Sequence, residues 1–315
     1  MITQDIEIIK AYLKAGKNAV IPTETVYGLA ASIFSDEAIQ SIFKLKNRPL
    51  ENPLIVHVAN RNQILDLVTT IHPKIDLLIH AFMPGPLTVV LPCNDKVSKY
   101  ITAGKASVAI RMPNHPLTYE LIEDLGFPIA APSANPFQQI SPTTAAQVDY
   151  YFSKFDLPIL DGGPCQCGIE STIVGIINDN PIVYRKGAIS IEEIEQIVGK
   201  VMYLSPTAIH MPGMYKKHYS PTTPLKVVRE LSEVTEIEKQ KKIGLLTFSE
   251  LPNSSFFSII KVLSKIKNEK EAIQNFYNYL FELDQANLEL IVAIKIPTNS
   301  EFATLINERL EQASN

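Results

Sequence analysis

Apolar positions follow two rhythms along the first 200 residues. Asp5–Ala15, Ser35–Lys46, Lys74–Phe82, Pro116–Leu125, Thr143–Phe152 and Ser190–Val198 place them three and four residues apart, which predicts amphipathic helices. Ser190 stands three residues before Glu193, the spacing of a capping box. Between these runs lie short apolar stretches: AVIP, PLIVHVA, LTVVLP, SVAIRMP, PIAAPS, PILDG, STIVGII and PIVYRK. Bounded by proline, glycine and polar residues, they predict strands. They outnumber what a regular βαβ repeat would supply, so the expected fold is α/β, built on one large mixed sheet.

At Tyr203 the texture changes. YLSPTAIHMPGMYKKHYSPTTP, residues 203–224, has four prolines and no periodicity, and reads as a linker. A plain spacer works with any polar sequence. Two tyrosines, a histidine and two lysines close together therefore suggest a lid rather than a tether. Beyond it PLKVV, KIGLLTF and LELIVAIKIP predict strands, with helices starting at Ser232, Asn268 and Ser300. The expected organisation is a first domain over 1–202, a linker or lid over 203–224, and a small Rossmann-like α/β domain over 225–315.

Composition narrows the function. Of 315 residues, 46% are hydrophobic and 20% charged, as in ordinary globular proteins. A net charge of −4 gives no global field to attract nucleic acid, leaving room only for a weak RNA contact. The three cysteines, Cys93, Cys165 and Cys167, form neither a disulfide framework nor the paired C-x-x-C of a zinc site. No apolar run approaches the roughly 20 residues that span a bilayer, and the acidic amphipathic start lacks signal-peptide character. No membrane partner and a cytoplasmic location are expected.

Polar residues cluster where apolar strands end, the usual place for ligands in sheet proteins. They are Pro22-Thr23-Glu24-Thr25, Lys46 and Arg48, His57, Arg111, Ser133 and Asn135, Glu170-Ser171-Thr172, and Arg185. Singly, each has an ordinary structural reading: a packed core histidine, a strand-end charge, a turn. Together, four cations at junctions of buried segments need compensation. No matching excess of carboxylates lies nearby in sequence, so a bound polyanion would explain them. Arginine suits bidentate carboxylate or phosphate, and lysine suits phosphate as a point charge. The 13 glycines form no G-x-x-x-x-G-K-[ST] and no G-x-G-x-x-G, so a nucleotide would not sit in a standard cradle. Neither H-E-x-x-H nor G-x-S-x-G is present.

Six stretches in order, IPTETVYGLAA, KNRPLENPLIVHV, PGPLTVVLP, VAIRMPNHP, PIAAPSANP and DGGPCQCGIEST, resemble the YrdC-like threonylcarbamoyl-AMP synthases. The linker and second domain resemble the two-domain form of that family. The resemblance implies a YrdC-like twisted mixed sheet followed by a smaller Rossmann-like domain. It implies a nucleotidyltransferase that condenses L-threonine, bicarbonate or CO2, and ATP to threonylcarbamoyl-AMP and pyrophosphate. The product would serve threonylcarbamoyladenosine modification of tRNA beside the anticodon, through a separate downstream tRNA threonylcarbamoyl transferase. Mg2+ is expected with the ATP, and no protein metal site.

Carried over by position, Thr23, His57, Arg111, Ala131 and Ser171 would surround threonine, with Arg111 on its carboxylate. Lys46, Arg48, Leu50, Ser107, Ser133, Asn135, Ser141 and Arg185 would line the ATP side, with Lys46 and Arg48 stabilising the transferring phosphoryl group. The family linker reads Gly-Met-Lys-Tyr-x-His-Tyr, whereas this chain has Gly213-Met214-Tyr215-Lys216-Lys217-His218-Tyr219. Tyr215 and Lys216 thus both become candidates for nucleotide contact. Two other readings compete: an RNA-binding module, and one unit of a carbamoyl-transfer maturation protein. The second normally carries paired Cys-x-x-Cys motifs, which are missing here.

Overall fold

The structure, a computed structural model, describes residues 1–203, 217–251, 256–297 and 300–315. Within these the chain forms two compact units. The first comprises Met1–Phe137, Pro142–Gln166 and 170–203; the second comprises Gln138–Ser141, Cys167–Ile169 and the residues from 217 onward.

The first unit holds β1 (Ile2–Thr3), β2 (Ala19–Ile21), β3 (Gly28–Ser32), β4 (Ile55–His57), β5 (Leu87–Pro92) and β6 (Ser107–Arg111). It continues with β7 (Ile129–Ala130), β8 (Ile159–Leu160), β9 (Thr172–Ile177), β10 (Asn180–Arg185) and β11 (Met202–Tyr203). They form one mixed sheet in the order β1-β8-β2-β3-β7-β4-β6-β5-β9-β10-β11. All six predicted helices are present: α1 (Ile6–Lys14), α2 (Asp36–Lys46), α4 (Pro73–Phe82), α6 (Pro116–Leu125), α7 (Ala145–Phe152) and α8 (Ile191–Val198). The short helices α3 (Arg61–Leu65) and α5 (Lys99–Thr102) accompany them. Ser190 and Glu193 close the expected capping box.

Strand alternation divides the core between the two sheet faces. Val20, Leu29, Ala31, Val56 and Ile110 pack with Ile39, Ile42, Leu78 and Ile79 of α2 and α4. Ala19, Ile21, Ala30 and Ile129 pack with Ile9 and Leu13 of α1 and with Leu121 and Leu125 of α6. Strand β3 is the one central strand that its sequence hides. GLAAS has little β-propensity, yet every residue is buried, and a side chain at Gly28 would press on Ala131.

The second unit carries a parallel four-stranded sheet, ordered β12 (Leu225–Val228), β15 (Leu290–Ile294), β13 (Ile243–Thr247) and β14 (Ile259–Val262). Helices α10 (Glu269–Asp284) and α11 (Glu301–Ala313) start from Asn268 and Ser300 as expected. The helix expected from Ser232 is instead a 3-10 turn, Leu231–Glu233, followed by α9 (Glu236–Lys239). Thr235 and Glu238 make a capping box of their own, which restarts the helix three residues later than expected. Tyr219 is buried against Tyr277, ring centroids 5.4 Å apart, with the Arg309 guanidinium 5.1 Å above its ring. Among the described residues no helix is long and apolar enough to cross a membrane.

Candidate active site

Strands β4 and β6 run parallel, with Ile55 beside Ala109 and His57 beside Arg111. Period-two alternation puts these four residues on one face, opposite Val56 and Ile110. Polar side chains gather at both ends of this strand pair.

At the carboxyl ends, His57 and Arg111 are buried. Arg111 donates from Nε to the Gly85 carbonyl at 3.3 Å and from Nη1 to the Thr25 hydroxyl at 2.7 Å. Its Nη2 lies 2.7 Å from Oε1 of Glu24, itself only 4% exposed. The two are misaligned: Nη2, Oε1 and Oε2 make no hydrogen bond among the described residues. Gly85 is required here because a Cβ would stand 2.4 Å from the Phe82 carbonyl. Nδ1–H of His57 donates to the Ile55 carbonyl at 3.3 Å, leaving Nε2 as an acceptor in the neutral ring. Burial, and then the neighbouring Arg111 charge, lower its pKa to about 3, so the imidazole is neutral.

The row continues across the sheet. Thr88, at the start of β5, meets the Ser171 hydroxyl at 2.7 Å. Arg185, ending β10, donates to the Ser171 carbonyl from Nε at 3.2 Å and Nη2 at 2.9 Å, and reaches its hydroxyl at 3.1 Å. Gly187 permits this approach, since a Cβ there would fall 2.3 Å from the Glu170 carbonyl. His57, Arg111, Thr88, Ser171 and Arg185 therefore lie at one end of five adjacent strands, β4-β6-β5-β9-β10.

A second group sits by the amino end of β4. Helix α2 ends on Asn47 in the left-handed conformation (φ 51°), which turns Arg48 back so that its N–H meets the Phe43 carbonyl. Lys46, 1% exposed, donates to the Ser133 carbonyl at 2.5 Å and to the Asn135 carbonyl. Burial and the adjacent Arg48 press its ammonium pKa well below the ordinary lysine value. Arg48 donates to the carbonyls of Asn52 (3.2 Å) and Pro53 (2.8 Å). The half-buried Ser107 opens β6 two residues before Ala109.

The sequence candidates thus divide. His57, Arg111, Ser171 and Arg185 lie along the end of the sheet that holds the carboxyl end of β4, spread from β4 to β10, and Lys46, Arg48, Ser133 and Asn135 lie by the amino end of β4. Arg185, expected among the ATP residues, touches Ser171 of the threonine set. Thr23 spends its hydroxyl within its own turn, on Thr25 and Val26, so Thr25 reaches Arg111. Ala131 lies beside Ile55, its N–H on that carbonyl at 3.0 Å. Leu50 is 51% exposed and carries no polar group. Ser141 is buried and belongs to the second unit. Tyr215 and Lys216, with most of the proposed lid, lie outside the described residues.

Sequence reading also missed contributors. Asn52 is 1% exposed, and neither its Nδ2 nor its Oδ1 has a hydrogen-bond partner among the described residues. An unpaired buried amide is expensive, which makes Asn52 a candidate ligand contact that the sequence did not single out. Thr88 was legible only as a polar residue opening an apolar strand. Among the described residues no cluster of three or more His, Cys, Asp or Glu could hold a metal ion.

A family model for Sua5, YciO and YrdC proteins, described as telomere recombination, matches residues 11–187. A model described as the threonylcarbamoyl-AMP synthase C-terminal domain matches residues 189–315. A threonylcarbamoyl-AMP synthase of Bacillus subtilis is 34% identical over 325 residues, 99% of this chain and 94% of the relative. One of Pyrococcus abyssi is 33% identical over 326 residues, 98% of this chain and 94% of the relative. The crystal structure of P. abyssi Sua5 complexed with L-threonine superposes with a TM-score of 0.88 at 32% identity, covering 98% of this chain and 94% of that one.

Proposed function

Because the chain belongs to the Sua5/YciO/YrdC family, we propose that it is a threonylcarbamoyl-AMP synthase. It condenses L-threonine, bicarbonate and ATP to threonylcarbamoyl-AMP and pyrophosphate, a nucleotidyl transfer. The observation that carries this reading is that buried polar residues stand at both ends of β4: His57 beside Arg111 at its carboxyl end, and Arg48 on the carbonyls of Asn52 and Pro53 just before its amino end.

Arg111 takes the threonine carboxylate, for which its planar fork is suited. Neutral His57 and the Thr88–Ser171 hydroxyl pair supply hydrogen bonds without adding charge. Threonine's nitrogen adds to bicarbonate to give a carbamate, and a carbamate oxygen displaces pyrophosphate from the α-phosphorus of ATP. That displacement needs alignment and charge stabilisation more than covalent help. Lys46, Arg48 and Asn52 serve the phosphates, and the polyanion restores the Lys46 ammonium that burial disfavours. Mg2+ carried by the nucleotide phosphates would supply charge neutralisation there. The product then supports threonylcarbamoylation of tRNA by a separate enzyme.

Pyrophosphate release from labelled ATP, with threonine, with serine and with no amino acid, tests the proposal. Release should require bicarbonate and an amino acid and should favour threonine. ATP turnover indifferent to amino acid, or RNA binding without turnover, would overturn it.

A further inference from the structure

Glu24 and Arg111 form a buried opposite-charge pair that does not satisfy itself. They approach to 2.7 Å, yet Oε1, Oε2 and Nη2 all lack hydrogen bonds among the described residues. Leaving such groups unpaired is far costlier than satisfying them. The carboxylate is held in place: Thr25, the next residue, is fixed by Nη1 of the same guanidinium. A cation–anion pair with spare donors on one member and spare acceptors on the other complements the charges of a zwitterion. An α-amino acid whose carboxylate meets Nη2 of Arg111 brings its ammonium, one carbon away, towards Glu24. The four charges then alternate, and no net charge enters the site.

We propose that Glu24 binds the ammonium of the amino-acid substrate and accepts its proton when the nitrogen adds to bicarbonate. One N–H proton passes to a Glu24 oxygen and frees the lone pair on nitrogen. That pair forms the C–N bond at the bicarbonate carbon. The C–OH bond breaks, and the hydroxyl leaves as water with a second N–H proton. The carbamate keeps the last N–H, and the single net proton rests on Glu24 until solvent takes it. This rests on threonine lying on Arg111, as proposed above.

Among the described residues, the ionisable groups that pair with or feel Glu24 are Arg111 of β6 and His115 preceding α6. His115 is held below its ordinary pKa, chiefly by burial, and so stays neutral above pH 7, leaving Glu24 as the anionic acceptor.

The test uses the full chain. Glu24→Gln should weaken threonine binding by calorimetry at least about tenfold and lower turnover by about 10²-fold or more, with ATP affinity little changed. Raising the pH from about 7 to 9 should recover much of the Glu24→Gln rate, because the amine then arrives already deprotonated. The wild type should gain far less. Should Glu24→Gln fail to fold, Glu24→Asp and the wild type decide. 2,3-Dihydroxybutyrate, with a hydroxyl replacing the ammonium, should bind the wild type far more weakly than threonine. Equal binding of the two, or Glu24→Gln within about twofold of wild type in affinity and rate, overturns the inference. If Arg111→Lys leaves threonine affinity unchanged, the threonine assignment itself falls, whatever Glu24 does.

Discussion

Lys46 donates from its ammonium to the carbonyl of Ser133, 87 residues further along the chain, at 2.5 Å. The cation at the end of α2 is therefore not a solvated helix-end charge: two of its three N–H donors meet carbonyls. It pins the Ser133–Asn135 loop through these two carbonyls. Lys46→Met should retain the packing of the stem but strand two carbonyls. Expected are a lower melting temperature and an ATP affinity weaker by about 1.5–3 kcal/mol. Calorimetry with ATP and thermal denaturation check both; unchanged ATP affinity would make Lys46 purely structural.

Asn52 should show the opposite balance. Replacing a buried amide that has no partner with a similar-sized apolar side chain is neutral or stabilising. Asn52→Leu should keep or raise the melting temperature while reducing ATP affinity. A clear loss of stability would mean that the amide is satisfied within the free protein.

Arg111→Lys should raise the threonine requirement much more than the ATP requirement, because one ammonium cannot reproduce a planar fork. Steady-state kinetics with each substrate varied in turn decides it. Equal effects on both would assign Arg111 to the scaffold.

His57 gives a pH signature. Its pKa is about 3 in the folded protein against 6.5 unfolded, so on acidification the unfolded chain takes the proton first. The stability this site contributes is complete above pH 6.5 and is lost as pH falls towards about 3, at about 1.4 kcal/mol per pH unit. Melting temperatures of wild type and His57→Gln at pH 7 and pH 5 should converge at the lower pH. Parallel losses in the two proteins would place the acid sensitivity elsewhere.

Much of this was legible in the sequence because hydrophobic period and cap chemistry are local. Helix α2 reads from Ser35 to Lys46 by spacing alone, and the mixed sheet follows from the count of apolar runs. What stayed hidden depends on neighbours far along the chain. GLAAS is a strand because Ala131 and Ile21 close around it. Asn52 matters because nothing meets its amide, a fact invisible in an Asn-Pro dipeptide. The division of site residues between two strand ends follows from β4 and β6 pairing in parallel, which the sequence does not record. Glu24 was visible only as one of three polar residues in a row, Thr23-Glu24-Thr25.

The three residues of β4 act as a gauge block. How far His57 stands beyond Ile55, and on which face, is set by backbone rise and pleat, not by the lengths of flexible side chains, so it hardly responds to substitution. Val56 can change size and disturb only the helix-covered face. Adding or removing one residue there would turn His57 to the opposite face, detaching it from Arg111 while leaving every side chain chemically intact. Selection on this strand should therefore act on length before identity, tolerating varied apolar residues but no insertions or deletions.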